Sequence, residues 1–554
     1  LRGNFKQSEY GKVILPFTVL RRFDCVLAPS KEEILERNKS LAVSNKAPIF
    51  KKYTGHDYYN VSKFDFEKLI DDSNNIDTNL KDYINGFSDD VKEILDNFEI
   101  ATIIEKLKKA GLLYLVVQKF SEINLGADTI DNLEMGYMFE ELIRKFSEQS
   151  NETAGEHFTP REVIELMVEV LLDTDLDEIT TTDGKVITIL DPACGTGGML
   201  SIAQNKIRAL NSRTTVVPFG QELNPETYAT CKSDMILKNN TNSKIVFGNS
   251  FSEDGFREQK FDYILSNPPF GVEWKKVKNF IENESKHKGY DGRFGAGTPR
   301  ISDGSLLFLQ HMISKMQPIE KGGSRIGIVF NGSPLFSGDA GSGESEIRKW
   351  IIEKDLLEAV IGLPDQLFYN TGISTYVWIL TNRKTDRRKG KIRLINGTSF
   401  FGKMRKSLGN KRNEITESDR KEIVRLYSTY EHDENYIDFD NDDFGYRKIT
   451  IERPLYDENR EVVVEKGNPK PNSKLRDTET VPFKEDIHEY FKREVLPHVP
   501  DAWIDEKKTK IGYEIPFTRH FYKFTPLRES SVILDEIKQL EEKIQKSLNE
   551  LFKG

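Results

Sequence analysis

The chain has 554 residues, too many for one ordinary core, so two or three domains are expected. Its 37% hydrophobic and 31% charged residues describe a globular protein, and no apolar run approaches the length of a bilayer span. A net charge of −9 argues against a chain that coats nucleic acid unaided, though not against a local basic groove. The three cysteines, Cys25, Cys194 and Cys231, are too few and too scattered for a disulfide framework or a metal site. The opening residues do not read as a signal peptide, and a start at Leu1 implies that the initiating end lies upstream. A cytoplasmic protein is expected.

Residues 1–150 carry helical signals. Ser30-Lys31-Glu32-Glu33 has the form of a helix start. Val91-Ile94-Leu95-Phe98, Ile103-Ile104-Leu107 and Met138-Phe139-Leu142-Ile143-Phe146 each fit one helix face. An N-terminal helical domain follows, serving as a brace for whatever comes next. Residues 147–157 read as a polar linker. Thr159 then suits an N-cap and Pro160 the first helical position.

From 151 to 405 strands alternate with helices, the pattern of a doubly wound α/β sheet. Val186–Leu190 reads as a strand entering Asp191-Pro192-Ala193-Cys194-Gly195-Thr196-Gly197-Gly198-Met199, after which a helix starts. The glycines let the backbone pass close to a ligand and turn sharply. Their spacing is not that of the dinucleotide fingerprint, and a phosphate loop would need Lys beside Ser or Thr. An acid opening the loop suits a cationic or amine-bearing ligand. Glu222 ends a second strand, Val216–Gln221, where a carboxylate can accept from two ribose hydroxyls. Further strands are read at 244–247, 325–330, 357–361 and 374–380.

The run Phe261–Ser266 reads as a buried parallel strand, and Asn267-Pro268-Pro269-Phe270 must end it, because two prolines cannot continue a ladder. An aromatic amine is a poor nucleophile because its lone pair is delocalised into the ring. The Asn267 side-chain oxygen and the Pro268 carbonyl can both accept from such an NH2 group, drawing it towards tetrahedral geometry, while Phe270 offers a ring for a base to stack on. Taken alone these four residues equally describe a strand-terminating turn over a buried phenylalanine; the glycine loop upstream supplies the second signal.

With DPACGTGG before NPPF, the chain resembles the S-adenosylmethionine-dependent DNA adenine methyltransferases. More narrowly it resembles the modification subunits of type I restriction-modification systems. The likeness continues through Gly155–Arg161, Gly220–Asn224, Asp303–Phe308 and Val360–Pro364. The resemblance implies a Rossmann-like methyltransferase sheet, S-adenosyl-L-methionine as cofactor, and methylation of N6 of a flipped adenine in double-stranded DNA. It implies that Asn267, Pro268, Pro269 and Phe270 are catalytic. It also implies that Glu156, Phe158, Thr159 and Pro160 cover the methionine end of the cofactor, with Asp191, Pro192, Gly195, Thr196, Gly197, Gly198 and Glu222 completing its site. Asn249 stands where the family usually has an aspartate near the cofactor adenine. The implied partners are a specificity subunit, a second modification subunit and, in the full complex, a restriction subunit.

Two loops remain. Residues 273–300 form a long polar segment with seven Lys or Arg against four Asp or Glu, read as a flexible basic loop placed to grip a phosphate backbone or simply to lie in solvent. Residues 337–343 read as a second mobile loop.

Residues 406–554 form a C-terminal region, irregular and charged to about 520, with a linker near 467–472. A final helix carries Ile533, Ile537, Leu540, Ile544, Leu548 and Leu551 close to a heptad seam. That stripe either folds back on its own domain or pairs with another chain; the resemblance favours the specificity subunit. No helix-turn-helix or zinc finger is present to read a DNA sequence. Three alternatives stay open: a self-sufficient adenine methyltransferase, a protein-glutamine or RNA methyltransferase, and a non-catalytic scaffold.

Overall fold

A computed structural model describes every residue except 151–158, 239, 241, 370, 522–528 and 552–554. The chain divides into two compact units, Leu1–Ile515 and Pro516–Gly554.

The larger unit is built on one nine-stranded sheet. In chain order its strands are β1 (Val186–Asp191), β2 (Thr215–Glu222), β3 (Lys244–Phe247), β4 (Tyr263–Ser266), β5 (Arg325–Asn331), β6 (Leu357–Gly362), β7 (Thr375–Thr381), β8 (Lys391–Asn396) and β9 (Tyr436–Asp440). Their spatial order is β9-β8-β6-β7-β5-β4-β1-β2-β3. The pairs β1/β2, β2/β3, β1/β4, β4/β5 and β6/β8 are parallel, whereas β7 runs antiparallel between β5 and β6. The expected doubly wound sheet is therefore present, and its order reverses between β1 and β4. That reversal opens a crevice at the carboxyl ends of the two strands. Every residue of β4, β6 and β7 is buried, as continuous apolar runs covered on both faces require.

The helices Arg161–Leu172 and Gly198–Leu210 supply much of the core against this sheet. The first begins at Arg161 with Pro160 as its N-cap, one residue later than expected, and no side chain caps it. Thr159 is thereby freed for another partner.

A second core holds the N-terminal helices together, including Phe17, Phe23, Leu80, Ile94 and Leu107. The helix Asn132–Ser150 runs through positions read as linker, and residues 151–157 lie outside the described residues. The helix Pro225–Leu237 belongs to both interiors: Ala229 and Leu237 enter the N-terminal core, while Cys231 and Met235 pack under the sheet. Tyr228 and Lys232 of the same helix each bond the Glu93 carboxylate at 2.6 Å.

Residues 273–300 are not a flexible loop. They fold into the helix Lys278–Lys288 flanked by short turns, with Trp274, Ile281 and Phe294 buried against Phe251 and Leu307. The guanidinium of Arg293 binds Glu284 at 2.6 Å and the carbonyls of Ser250 and Phe251 at 3.0 and 2.6 Å. Lys275, Lys276, Lys286 and Lys288 stay exposed. Residues 337–343 lead into the helix Gly343–Glu353, capped by the Ser342 side chain.

The region after 405 is more ordered than its composition implied. Tyr436–Asp440 closes one edge of the main sheet, beyond the expected limit of the catalytic domain. Asp477–Pro482, Gly445–Glu452 and Trp503–Tyr513 form a three-stranded antiparallel sheet over Ile449, Val481 and Phe491. The expected linker at 467–472 includes a short strand, Asn468–Pro469, paired with Val464–Glu465.

The smaller unit contains the helix Ser530–Leu551. Its stripe is uncovered: Ile533, Ile537, Leu540, Ile544 and Leu548 are 42–58% exposed.

Candidate active site

Four loops meet at the crevice where the sheet order reverses, and each is tied to a neighbour by a hydrogen bond. The loop after β1 takes left-handed backbone at Gly195 (φ +54°) and Gly197 (φ +84°), which favours glycine. A Cβ on Gly197 would lie 2.7 Å from Cys231 Sγ, so helix Gly198–Leu210 can approach helix Pro225–Leu237 only through a hydrogen atom. A Cβ on Gly195 would meet nothing within 4 Å among the described residues, which leave that face of the loop open.

Glu222 ends β2. One carboxylate oxygen accepts the Gly195 N–H at 2.8 Å and the other accepts the Asn224 N–H at 2.7 Å. The acid expected to meet a ribose thus also shapes the glycine loop. Asp191 ends β1 and is 2% exposed. Its carboxylate accepts from the Ala193 N–H at 3.0 Å and from the Ser266 hydroxyl at 2.9 Å, across the sheet reversal on β4. Burial pushes its carboxyl up to about 7, against the lowering by these two donors and with a smaller rise from Glu222.

The turn after β3 joins the same assembly, since the Ser250 hydroxyl donates to the Pro192 carbonyl at 2.5 Å. The Asn249 side-chain oxygen accepts the Phe251 N–H at 2.9 Å, so this amide shapes its own turn. Arg293, holding the carbonyls of Ser250 and Phe251, fastens that turn to the basic helical segment.

Asn267 follows β4 directly. Its Nδ2 donates to Thr159 Oγ1 at 2.9 Å, and its Oδ1 is buried with no hydrogen-bond partner among the described residues. A buried acceptor without a donor is a strong local deficit. Pro268 is buried, and Phe270, 8% exposed, sits in the core cluster rather than standing free. Thr196 and Gly198 lie in and after the glycine loop, as expected from their positions. Glu156 and Phe158 fall outside the described residues. Among the described residues, no group of three or more His, Cys, Asp or Glu is placed to hold a metal ion.

The structure thus brings Asp191, Pro192, Gly195, Glu222, Asn249, Asn267 and Thr159 into one assembly. Sequence reading missed Ser250, Ser266 and Arg293. None belongs to a motif, and only Ser266, as the last residue of a buried strand, carried a local signal.

Comparison with known proteins fits this geometry. Residues 131–444 match the N-6 DNA Methylase family, and residues 1–120 match the HsdM N-terminal domain. The type I restriction enzyme MjaIX methylase subunit of Methanocaldococcus jannaschii is 26% identical over 475 residues, 81% of this chain and 78% of that protein. The HindI methylase subunit of Haemophilus influenzae is 31% identical over 280 residues, 50% of this chain and 55% of its own length. Among solved structures, the type I restriction-modification methyltransferase subunit from Streptococcus thermophilus superposes with a TM-score of 0.63 at 22% identity, covering 80% of this chain and 93% of that one. A chain from a structure describing assembly and conformational transition of the type I R-M system covers 99% of this chain and 94% of its own, with a TM-score of 0.52 at 19% identity. The chain belongs to the N-6 DNA methylase family and, within it, to the modification subunits of type I restriction-modification systems. It is a methyltransferase with a Rossmann-like sheet and an N-terminal helical domain. No described helix is long and apolar enough to cross a membrane.

Proposed function

We propose that this subunit transfers a methyl group from S-adenosyl-L-methionine to N6 of an adenine flipped out of duplex DNA. The observation that carries the reading is the Asn267 Oδ1, a buried acceptor with no partner among the described residues, one residue past the Ser266 that bonds Asp191 at the head of the glycine loop; an exocyclic amine would satisfy it once it is uncovered.

The residues present fit the cofactor. Gly195 leaves an open face on the loop, and two carboxylates, Asp191 and Glu222, suit a ligand bearing a sulfonium and an ammonium group. Asp191, Pro192, Gly195, Thr196, Gly197 and Gly198 would hold it, with Glu222 on the ribose and Asn249 at the adenine end. Thr159 and Pro160, with Glu156 and Phe158, would cover the methionine end. When bound, the cofactor supplies an electrophilic methyl group. Asn267 Oδ1 and the Pro268 carbonyl accept from the target amine and localise its lone pair. The two prolines keep these acceptors in place, and Phe270 stacks on the base once its ring turns out of the core.

We place target choice in a specificity subunit, bound through the C-terminal region, with a second modification subunit around it and a restriction subunit added for cleavage. The uncovered stripe of the final helix supports this, since an apolar row left in water seeks a partner. We read residues 1–150 as the helical domain, 151–444 as the catalytic domain, because Ile423, Leu426 and Tyr427 enter its core and 436–440 its sheet, and the remainder as the partner-binding region.

The deciding experiment is transfer of labelled methyl groups to DNA, RNA and protein by the co-purified complex and by its Asn267→Ala variant. Label should enter adenine in DNA, and the variant should lose about 100-fold or more in rate. Unchanged DNA methylation by the variant would remove the proposed amine site.

A further inference from the structure

The side chain of Asn267 has two ends of nearly the same shape and opposite chemistry: an oxygen that accepts and an NH2 that donates. Only the oxygen helps an exocyclic amine. With the amide reversed, two donors would face each other and the base would be repelled. Rigidity of the Asn267-Pro268-Pro269-Phe270 backbone does not settle the matter, because the prolines fix the main chain and not the amide torsion.

Among the described residues, the amide is held from elsewhere in the sequence. Thr159, 108 positions upstream, takes the Asn267 Nδ2 hydrogen bond at 2.9 Å and leaves the buried Oδ1 without a partner among the described residues. Thr159 sits on a firm base. The next residue, Pro160, is buried and caps the helix Arg161–Leu172, whose Val163, Ile164, Leu166 and Met167 are in the main core. A hydroxyl so anchored, accepting from Nδ2, holds the amide in the orientation that keeps Oδ1 free of other partners among the described residues.

We propose that Thr159 is a positioning residue for methyl transfer, holding the Asn267 amide with Nδ2 turned away and Oδ1 presented to the target amine. The inference rests on the adenine methyltransferase reading above and adds to the family-implied contact of Thr159 with the cofactor. It has a distinctive corollary. A carboxylate has two equivalent oxygens, so Asn267→Asp has no wrong end and no need of an orienting partner.

The test compares wild type, Thr159→Val, Thr159→Ser, Asn267→Asp and the Thr159→Val/Asn267→Asp double variant in the full modification complex. Two quantities are read: the single-turnover rate of labelled methyl transfer to duplex DNA, and affinity for S-adenosylhomocysteine by titration calorimetry. Thr159→Val should lower the transfer rate about 10- to 100-fold, the range expected when a reacting group is misplaced. The rate is read at saturating S-adenosyl-L-methionine, so any affinity lost with the Thr159 contact to the cofactor does not enter it, and Thr159→Ser should recover most of the rate. In the Asn267→Asp background the Thr159→Val effect should shrink to about threefold or less, the non-additivity expected of two residues acting as one. Equal losses in both backgrounds, a loss confined to S-adenosylhomocysteine affinity, or no difference between Val and Ser would each overturn the proposal. Where Asn267→Asp is inactive, the Val–Ser comparison decides. A wild-type complex that binds S-adenosylhomocysteine but methylates no DNA overturns the underlying reading, and the wild-type arm keeps that failure apart from a failure of Thr159.

Discussion

Glu222 holds Gly195: the carboxylate at the end of β2 accepts the backbone N–H of the glycine loop at 2.8 Å while its other oxygen accepts from Asn224. One acid therefore fixes the loop proposed to carry the cofactor and is also the group proposed to meet its ribose. The bonds are charge-assisted and leave the side chain little freedom.

Replacing that acid separates binding from chemistry. Glu222→Gln keeps the shape, loses the charge and cannot accept through both ends. Affinity for S-adenosylhomocysteine should fall about 10-fold or more, while the transfer rate at saturating cofactor falls much less. Titration calorimetry beside single-turnover assays checks both.

The two loop glycines should respond differently. Gly197→Ala places a methyl 2.7 Å from Cys231 Sγ on left-handed backbone, so it should destabilise the fold by about 2 kcal/mol or more. Gly195→Ala meets open space; it should cost about 1 kcal/mol from backbone strain alone, yet obstruct the cofactor face. Melting temperature ranks the first as worse, and S-adenosylhomocysteine affinity should fall for the second even where it folds.

Asp191 gives a pH dependence of definite sign. Its carboxyl is raised to about 7 by burial, so the folded state binds its proton more tightly than the unfolded chain. Its contribution to stability is complete below the unfolded value and is lost as pH rises through about 7. Asp191→Asn cannot ionise. The variant should gain on wild type between about pH 4 and pH 7, by about 4 kcal/mol, in denaturant melts. Binding of a cationic cofactor should release a proton in wild type below about pH 7 and not in the variant, as calorimetry in two buffers would report.

Glu358 and Arg325 form a buried pair at 2.7 Å, joined by the Tyr427 hydroxyl. Burial would raise the Glu358 carboxyl, but Arg325 and Arg388 hold it below the usual range. Glu358→Ala strands two buried guanidinium groups and should destabilise the main unit by about 3–5 kcal/mol, read as a lower denaturation midpoint. The glycine loop is untouched, so any surviving folded protein should bind S-adenosylhomocysteine normally.

On the terminal helix, Ile537→Asp and Ile544→Asp fall on exposed positions and should leave the melting temperature within about 1 °C of wild type. Both should weaken co-purification of the specificity subunit. Capture equal to wild type would move the partner interface elsewhere.

Much of this fold was legible because strands buried in a central sheet write themselves as apolar runs; β1–β7 were read within a residue or two of their ends. β8 and β9 were not. Lys391–Asn396 and Tyr436–Asp440 mix charges into short strands, and Asp438 pairs with Arg393 across them, a contact that local pattern cannot show. The helix Lys278–Lys288 read as loop because Ile281 is its only buried residue, too little for a visible period. The site's motifs were legible from the glycines and prolines that chemistry demands. What joins them was not: Asp191 to Ser266 spans 75 positions, and Asn267 to Thr159 spans 108.

The helix Pro225–Leu237 packs Ala229 and Leu237 into the N-terminal interior and Cys231 and Met235 beneath the sheet. Recombination between relatives that swapped only the first stretch of the gene would import half of a lock whose key is encoded some hundred codons downstream. The front segment and this inner helix must therefore be inherited as a matched set, although no boundary drawn along the polypeptide contains them both.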